Sequence, residues 1–125
     1  MTILAVDDDV RNLFSILSLL EASGAKVVSA RSAREAMEVL ERGPLPTLVL
    51  MDMMMPEVDG YQAARRLREN PRHQDLPIVA LTAKAMPGDR EKALEAGCND
   101  FVPKPVERER LMGVLRQWVR GEKSP

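Results

Sequence analysis

Ile3–Leu20 reads ILAVDDDVRNLFSILSLL. Ile3 to Val6 is a brief aliphatic run that barely alternates, as a strand buried on both faces should. Asp7, Asp8 and Asp9 break it. Leu13, Ile16, Leu17 and Leu20 then recur at the i, i+3, i+4, i+7 spacing that gives a helix one apolar face. Strand, acidic turn and amphipathic helix together make one βα unit.

The same grammar runs to the end of the chain. Further strand-like runs are Val27 to Ser29, Leu48 to Met51, Ile78 to Leu81, and Phe101 to Val102. Helical stripes lie between and after them: Ala33, Ala36, Met37 and Leu40; Gly60, Ala63, Ala64 and Leu67; Leu111, Val114, Leu115 and Trp118. The fourth helix, from about Pro87 to Ala96, is shorter and less apolar, with Ala93 and Leu94 as its anchors. Ser32 and Glu35 form a capping box, each side chain serving the other's free backbone N–H. Pro87 suits a first helical position, and Gly24, Gly43 and Gly97 suit the left-handed turn after a helix. Asn70-Pro71 ends the third helix, because a residue before proline is pushed out of the helical region.

Five βα units imply an α/β fold of the flavodoxin-like (βα)5 class, doubly wound, with a five-stranded parallel sheet in the order 2-1-3-4-5. Residues 1–120 are expected to form one domain and residues 121–125 a tail.

Composition narrows the function. The chain has 125 residues, 45% hydrophobic and 30% charged, which is ordinary globular composition. A net charge of −1 and 3% aromatic residues offer little to a nucleic acid, which needs clustered cations and stacking surfaces. Cys98 is alone, so no intrachain disulfide forms, and a structural thiol in a reducing compartment is expected. No apolar run is long enough to span a bilayer, and no signal peptide is evident, so a soluble cytoplasmic domain without membrane contact is expected.

In the 2-1-3-4-5 order the first and third strands are neighbours, and a crevice opens at their carboxyl ends. Asp7 and Asp8 follow the first strand and Asp52 ends the third. Three carboxylates meeting there repel unless protonated or bridged by a cation. An all-oxygen set without His or Cys suits Mg2+. Asp9 fits a plainer role as cap of the first helix; Asp52 does not, since Met53, Met54, Met55 and Pro56 follow it. Nucleotide or flavin phosphates would need amide donors after the first strand, where the three acids stand instead. Thr82 ends the fourth strand and Lys104 follows the fifth; each alone reads as an ordinary strand-end hydroxyl or surface lysine, but together with the acids they could hold the oxygens of a phosphoryl group.

These residues resemble the receiver domain of two-component response regulators. The matching stretches are Leu4 to Asp9, Met51 to Gly60, Leu81-Thr82-Ala83 and Lys104-Pro105, and the likeness covers essentially the whole chain. The resemblance implies that Asp52 is the phosphoacceptor and that Asp8, Asp52 and the Met54 backbone carbonyl bind Mg2+, with Asp7 acting through water. It implies that Lys104 pairs with phosphoryl oxygens, that Thr82 swings to bond one of them, and that Phe101 turns inward with it as the aromatic switch. Lys104-Pro105 is commonly a cis peptide in this family. The donor would be a phosphohistidine on a histidine kinase or phosphotransfer domain, and helix four, strand five and helix five would present the altered surface to a downstream protein. Met54 and Lys84 stand at positions that tune dephosphorylation; Met54 orients no attacking water, so a comparatively long-lived acyl phosphate is expected. The stretches Asp7 to Leu20, Met53 to Met55 and Leu81 to Met86 resemble receivers of hybrid histidine kinases, which would make the chain a module of such a membrane-attached kinase; a stand-alone regulator is the alternative.

Other functions follow from the same residues less well. A pseudo-receiver, a pure interaction module, would not need intact Asp7, Asp8, Asp52, Thr82 and Lys104. A metal-dependent phosphohydrolase would need a general acid near the nucleophile, and none is evident. The three consecutive methionines read as loop packing, His73 as a solvated loop residue, Trp118 as core or partner contact, Arg65, Arg66 and Arg68 as a solvated helix face, and Pro103 as a proline tolerated in an edge strand.

Overall fold

The computed structural model describes residues 1–54, 60–82 and 88–123, with side chains described through residue 119. Five strands, β1 (Thr2–Val6), β2 (Lys26–Ala30), β3 (Leu48–Asp52), β4 (Ile78–Thr82) and β5 (Asp100–Pro103), alternate with five helices. These are α1 (Val10–Ala22), α2 (Ala33–Arg42), α3 (Gly60–Glu69), α4 (Asp89–Glu95) and α5 (Arg108–Lys123), with a 3-10 turn at Pro71–His73. All strand pairs are parallel and the order is β2-β1-β3-β4-β5, the flavodoxin-like arrangement expected.

Each strand carries two sets of side chains, one per face. Leu4, Val6, Val49, Met51, Ile78 and Ala80 pack under the inner stripes of α2, α3 and α4. Ile3, Ala5, Leu48, Leu50, Val79, Leu81 and Val102 pack under α1 and α5. β1, β3 and β4 lie between two such layers and are buried nearly end to end, whereas β2 and β5 are edges with partly exposed residues. Pro103 sits on edge strand β5, where its missing N–H costs the sheet no interior bond.

The helix signals resolve in detail. Asp9 caps α1, its Oδ1 accepting the N–H groups of Arg11 at 3.0 Å and Asn12 at 3.3 Å. Ser32 Oγ accepts the Glu35 N–H at 3.0 Å, and this is the arm of the capping box that the described hydrogen bonds contain. Asn70 is extended, and Pro71 opens the 3-10 turn, as the Asn-Pro pair requires. Gly24 and Gly97 adopt φ of 91° and 107°, but Gly43 is extended at −133°. Pro44 follows it and excludes the helical region, so the chain leaves α2 as a β-like residue rather than through a left-handed turn.

Other expectations change. Ala93 is buried on α4 but Leu94 is 43% exposed, because Ala93 and Ala96, three apart, set the phase of this short helix. Pro87 lies outside the described residues. α5 continues to Lys123, into the segment expected as a tail. Met53 packs in the core while Met54 is exposed, and Met55 lies outside the described residues. His73 is buried rather than solvated: the 3-10 turn folds it back under α3, with Nδ1 3.1 Å from the Leu67 carbonyl. Cys98 is buried, and burial pushes its thiol up to about 11 against a smaller opposing pull from Arg68, as an inert structural thiol should be. Trp118 is half-buried, its indole N–H donating to Asp100 Oδ2 at 3.0 Å. No helix among the described residues is long and apolar enough to cross a membrane.

Candidate functional site

The sheet register decides which strand ends meet. Val6 pairs with Met51, so Asp7 emerges beside Asp52. Asp52 pairs with Leu81, which places Thr82 one residue further along the adjoining strand. Thr82 pairs with Pro103, and the Lys104 N–H donates to the Thr82 carbonyl at 2.7 Å. Parallel strands ending together thus deliver acids, hydroxyl and ammonium to one rim.

The acids converge there. Ligand oxygens of Asp7, Asp8 and Asp52 all lie within 4.8 Å of one another. Asp7 and Asp52 are buried, and Asp8 is half-buried at the opening. Lys104 Nζ sits 3.1 Å from Asp52 Oδ1 and 3.3 Å from Asp7 Oδ2, bridging the two buried carboxylates. Asp52 Oδ1 also accepts the Met54 N–H at 3.1 Å. Lys104-Pro105 is cis. Phe101 lies half-buried on β5, with the Arg110 guanidinium 5.4 Å from its ring centre.

These neighbours act on charge. Burial, joined by the nearby Asp7 carboxylate, pushes Asp52 up to about 6, against the Met54 N–H and Lys104, which favour its ionised form. Burial by itself would lower Lys104, but the Asp52 and Asp7 carboxylates outweigh it and hold the ammonium above its ordinary value. With three carboxylates and one ammonium, full ionisation leaves a −2 imbalance in a largely buried pocket. The donors are all oxygen, and hard divalent cations suit such a set. The residues present therefore fit a metal ion such as Mg2+.

Residues 3–116 match the family model of the response regulator receiver domain. The chain belongs to that family. This receiver is 44% identical over 125 residues to response regulator Rre1 of Synechocystis sp., covering 99% of this chain and 54% of Rre1, so it spans about half the length of that relative. It superposes on the receiver domain of sensor histidine kinase PA1611 from Pseudomonas aeruginosa PAO1 with a TM-score of 0.87 and 37% identity, covering 95% of this chain and 97% of the other. That crystal structure holds a magnesium ion coordinated in its active-site cleft. The receiver domain of Ssk1 from Saccharomyces cerevisiae, crystallised with the histidine phosphotransfer protein Ypd1, gives a TM-score of 0.90 at 29% identity, covering 99% of this chain and 92% of that one.

The structure also brings forward side chains that pattern reading passed over. Asn12 Nδ2 donates to Asp7 Oδ2 at 2.9 Å, reaching the acids from the first turn of α1. Arg68, expected on a solvated face, is half-buried and donates to the carbonyls of Gly97 at 2.9 Å and His73 at 2.5 Å and to Asn99 Oδ1 at 2.7 Å. Arg65 and Arg66 are exposed as expected. Arg68 lies four residues after Ala64 and one after Leu67, at the border of the buried stripe, and that phase was its signal. Lys84 lies outside the described residues.

Proposed function

We propose that this receiver is a phosphorylation-driven signalling switch whose acceptor is Asp52. The observation that carries the reading is the Lys104 ammonium held between Asp52 and Asp7, beside Asp8, at the ends of adjacent parallel strands. An ammonium so placed can follow charge from a carboxylate to an incoming phosphoryl oxygen.

Asp8, Asp52 and the Met54 backbone carbonyl would hold Mg2+, with Asp7 acting through water. When bound, the ion neutralises negative charge on the oxygens in transfer. The donor is a phosphohistidine of a histidine kinase or phosphotransfer domain, a reading supported by the likeness to the Ssk1 receiver seen with Ypd1. An ionised Asp52 oxygen attacks phosphorus in line, the P–N bond breaks, and its electron pair returns to the imidazole ring. Lys104 favours the ionised acceptor beforehand and pairs with the phosphoryl oxygens afterwards. The Thr82 hydroxyl donates to one of those oxygens. Water later cleaves the acyl phosphate and restores the carboxylate.

The output follows from the same strand ends. Thr82 closes β4 and Phe101 lies on β5, so movement of one toward the phosphoryl group opens space for the other and biases the surface of α4, β5 and α5 between two arrangements. A downstream protein reads that surface.

Incubation with Mg2+ and acetyl phosphate, followed by intact-mass measurement, tests the reading. One acid-labile phosphoryl adduct is expected on the wild type and none on Asp52→Asn. No adduct on the wild type would leave an interaction module without phosphotransfer.

A further inference from the structure

We infer that Asn12 is a positioning residue of the acidic pocket: its side-chain amide holds Asp7 in place and frees Lys104 to leave that carboxylate. The inference rests on the metal-assisted phosphoacceptor reading above.

Asp7 is buried, so its oxygens depend chiefly on protein donors. Oδ1 accepts the Asp9 N–H at 2.9 Å. Oδ2 accepts Asn12 Nδ2 at 2.9 Å and pairs with Lys104 at 3.3 Å. Two of these donors are neutral and fixed, one by the backbone and one by α1. The third is a charged, flexible side chain shared with Asp52 at 3.1 Å.

That division matters when the lysine is called away. Without Asn12, Lys104 would be the donor on which Asp7 Oδ2 depends. Drawing it toward a phosphoryl oxygen would strand a buried carboxylate oxygen, which is costly. With Asn12 in place the oxygen stays satisfied and the carboxylate keeps its orientation toward the pocket. Partners of this kind, one bond behind the metal-binding groups, set ligand geometry.

Asn12 has no competing duty at the helix start. Asp9 caps α1 and already takes the Asn12 backbone N–H, so the side chain is not needed there. Its amide is also the suitable chemistry: a lysine would add positive charge against a cation, and an aspartate would repel Asp7.

The test is Mg2+ binding by calorimetry without a phosphodonor, with the acetyl phosphate modification rate at saturating Mg2+ measured alongside. Asn12→Leu keeps the branched outline of the side chain, adds some volume and does not lower helix propensity. It is expected to melt near the wild type, to bind Mg2+ about tenfold more weakly, and to phosphorylate more slowly even when saturated. Asn12→Gln, which keeps an amide donor, recovers most of the loss. Asn12→Ala, which cannot clash, reads the same loss if leucine proves disruptive. Phe14→Ala, on the exposed side of α1, leaves binding unchanged. Wild-type affinity in folded Asn12→Leu and Asn12→Ala would overturn the inference alone, as would an equal loss in Asn12→Gln or Phe14→Ala. A wild type that binds no Mg2+ would overturn it together with the metal reading beneath it.

Discussion

Replacing Asp52 by Asn should stabilise the metal-free receiver while abolishing its chemistry. Burial raises the Asp52 carboxyl from 3.8 to about 6. Because the folded value lies above the unfolded one, the native state binds the extra proton between those limits. The resulting penalty is absent below the unfolded value, grows as pH rises through the window, and is complete above about 6. At about 1.36 kcal/mol per pKa unit, the full penalty is about 3 kcal/mol. Asn removes the charge and still offers an acceptor to the Met54 N–H. The pull of Lys104 is already counted in the shifted value, but the amide is an imperfect copy of a protonated carboxyl, with an NH2 where a second oxygen stood. A net gain of about 1–2 kcal/mol remains, or roughly 3–8 °C in melting temperature for a domain of this size. The assay is urea and thermal unfolding of both proteins in chelator, near neutral pH and again at about pH 4.5, where protonation relieves most of the wild-type penalty. Added Mg2+ should then stabilise the wild type more than the variant, because stabilisation by a ligand grows with the logarithm of its concentration relative to Kd. A variant no more stable than wild type at neutral pH, or a difference that fails to shrink on acidification, would refute the reasoning.

Three further outcomes are expected. Gly60→Ala places a Cβ 2.6 Å from both the Asp52 carbonyl oxygen and Met53 Cα, and should cost about 2 kcal/mol or more by overpacking; an unchanged urea midpoint would contradict the tight contact. Arg68→Met removes the guanidinium that ties α3 to the turns carrying Gly97 and His73, at a cost of about 2 kcal/mol or more, read by chemical denaturation; a stability equal to wild type would show the clamp to be idle. Met54 is 66% exposed and offers no polar group to an attacking water, so Met54→Asn should lose its phosphoryl group faster than wild type in a decay time course, and slower loss would count against that role.

The fold was legible because buried parallel strands must be aliphatic. Against that background Asp7, Asp52 and Thr82 stand out at the strand ends, and the 2-1-3-4-5 order then brings them together with Lys104. What escaped depends on contacts across the chain. Pro71, Arg72, His73 and Gln74 read as a polar loop, and only the tertiary bond to the Leu67 carbonyl shows that the turn buries His73. Arg68 differs from Arg65 and Arg66 by helix phase, not composition. The extended Gly43 was within reach, since Pro44 biases the residue before it toward extended backbone. The inward face of α4 was within reach too, since Ala93 and Ala96 share the spacing that Ala93 and Leu94 lack. Asn12 carried no signal of its own, because a polar residue in a first helical turn is ordinary until its partner is seen to be a buried acid.

The central claim is that the phosphoryl group resides on Asp52 and nowhere else. Borohydride reduces an acyl phosphate to the alcohol, so treating the phosphorylated protein and sequencing its peptides by mass spectrometry marks the acceptor directly. The account predicts homoserine at position 52, dependent on Mg2+ and phosphodonor together. Homoserine at Asp7 or Asp8, or a labile phosphoryl group carried on His73, would contradict it.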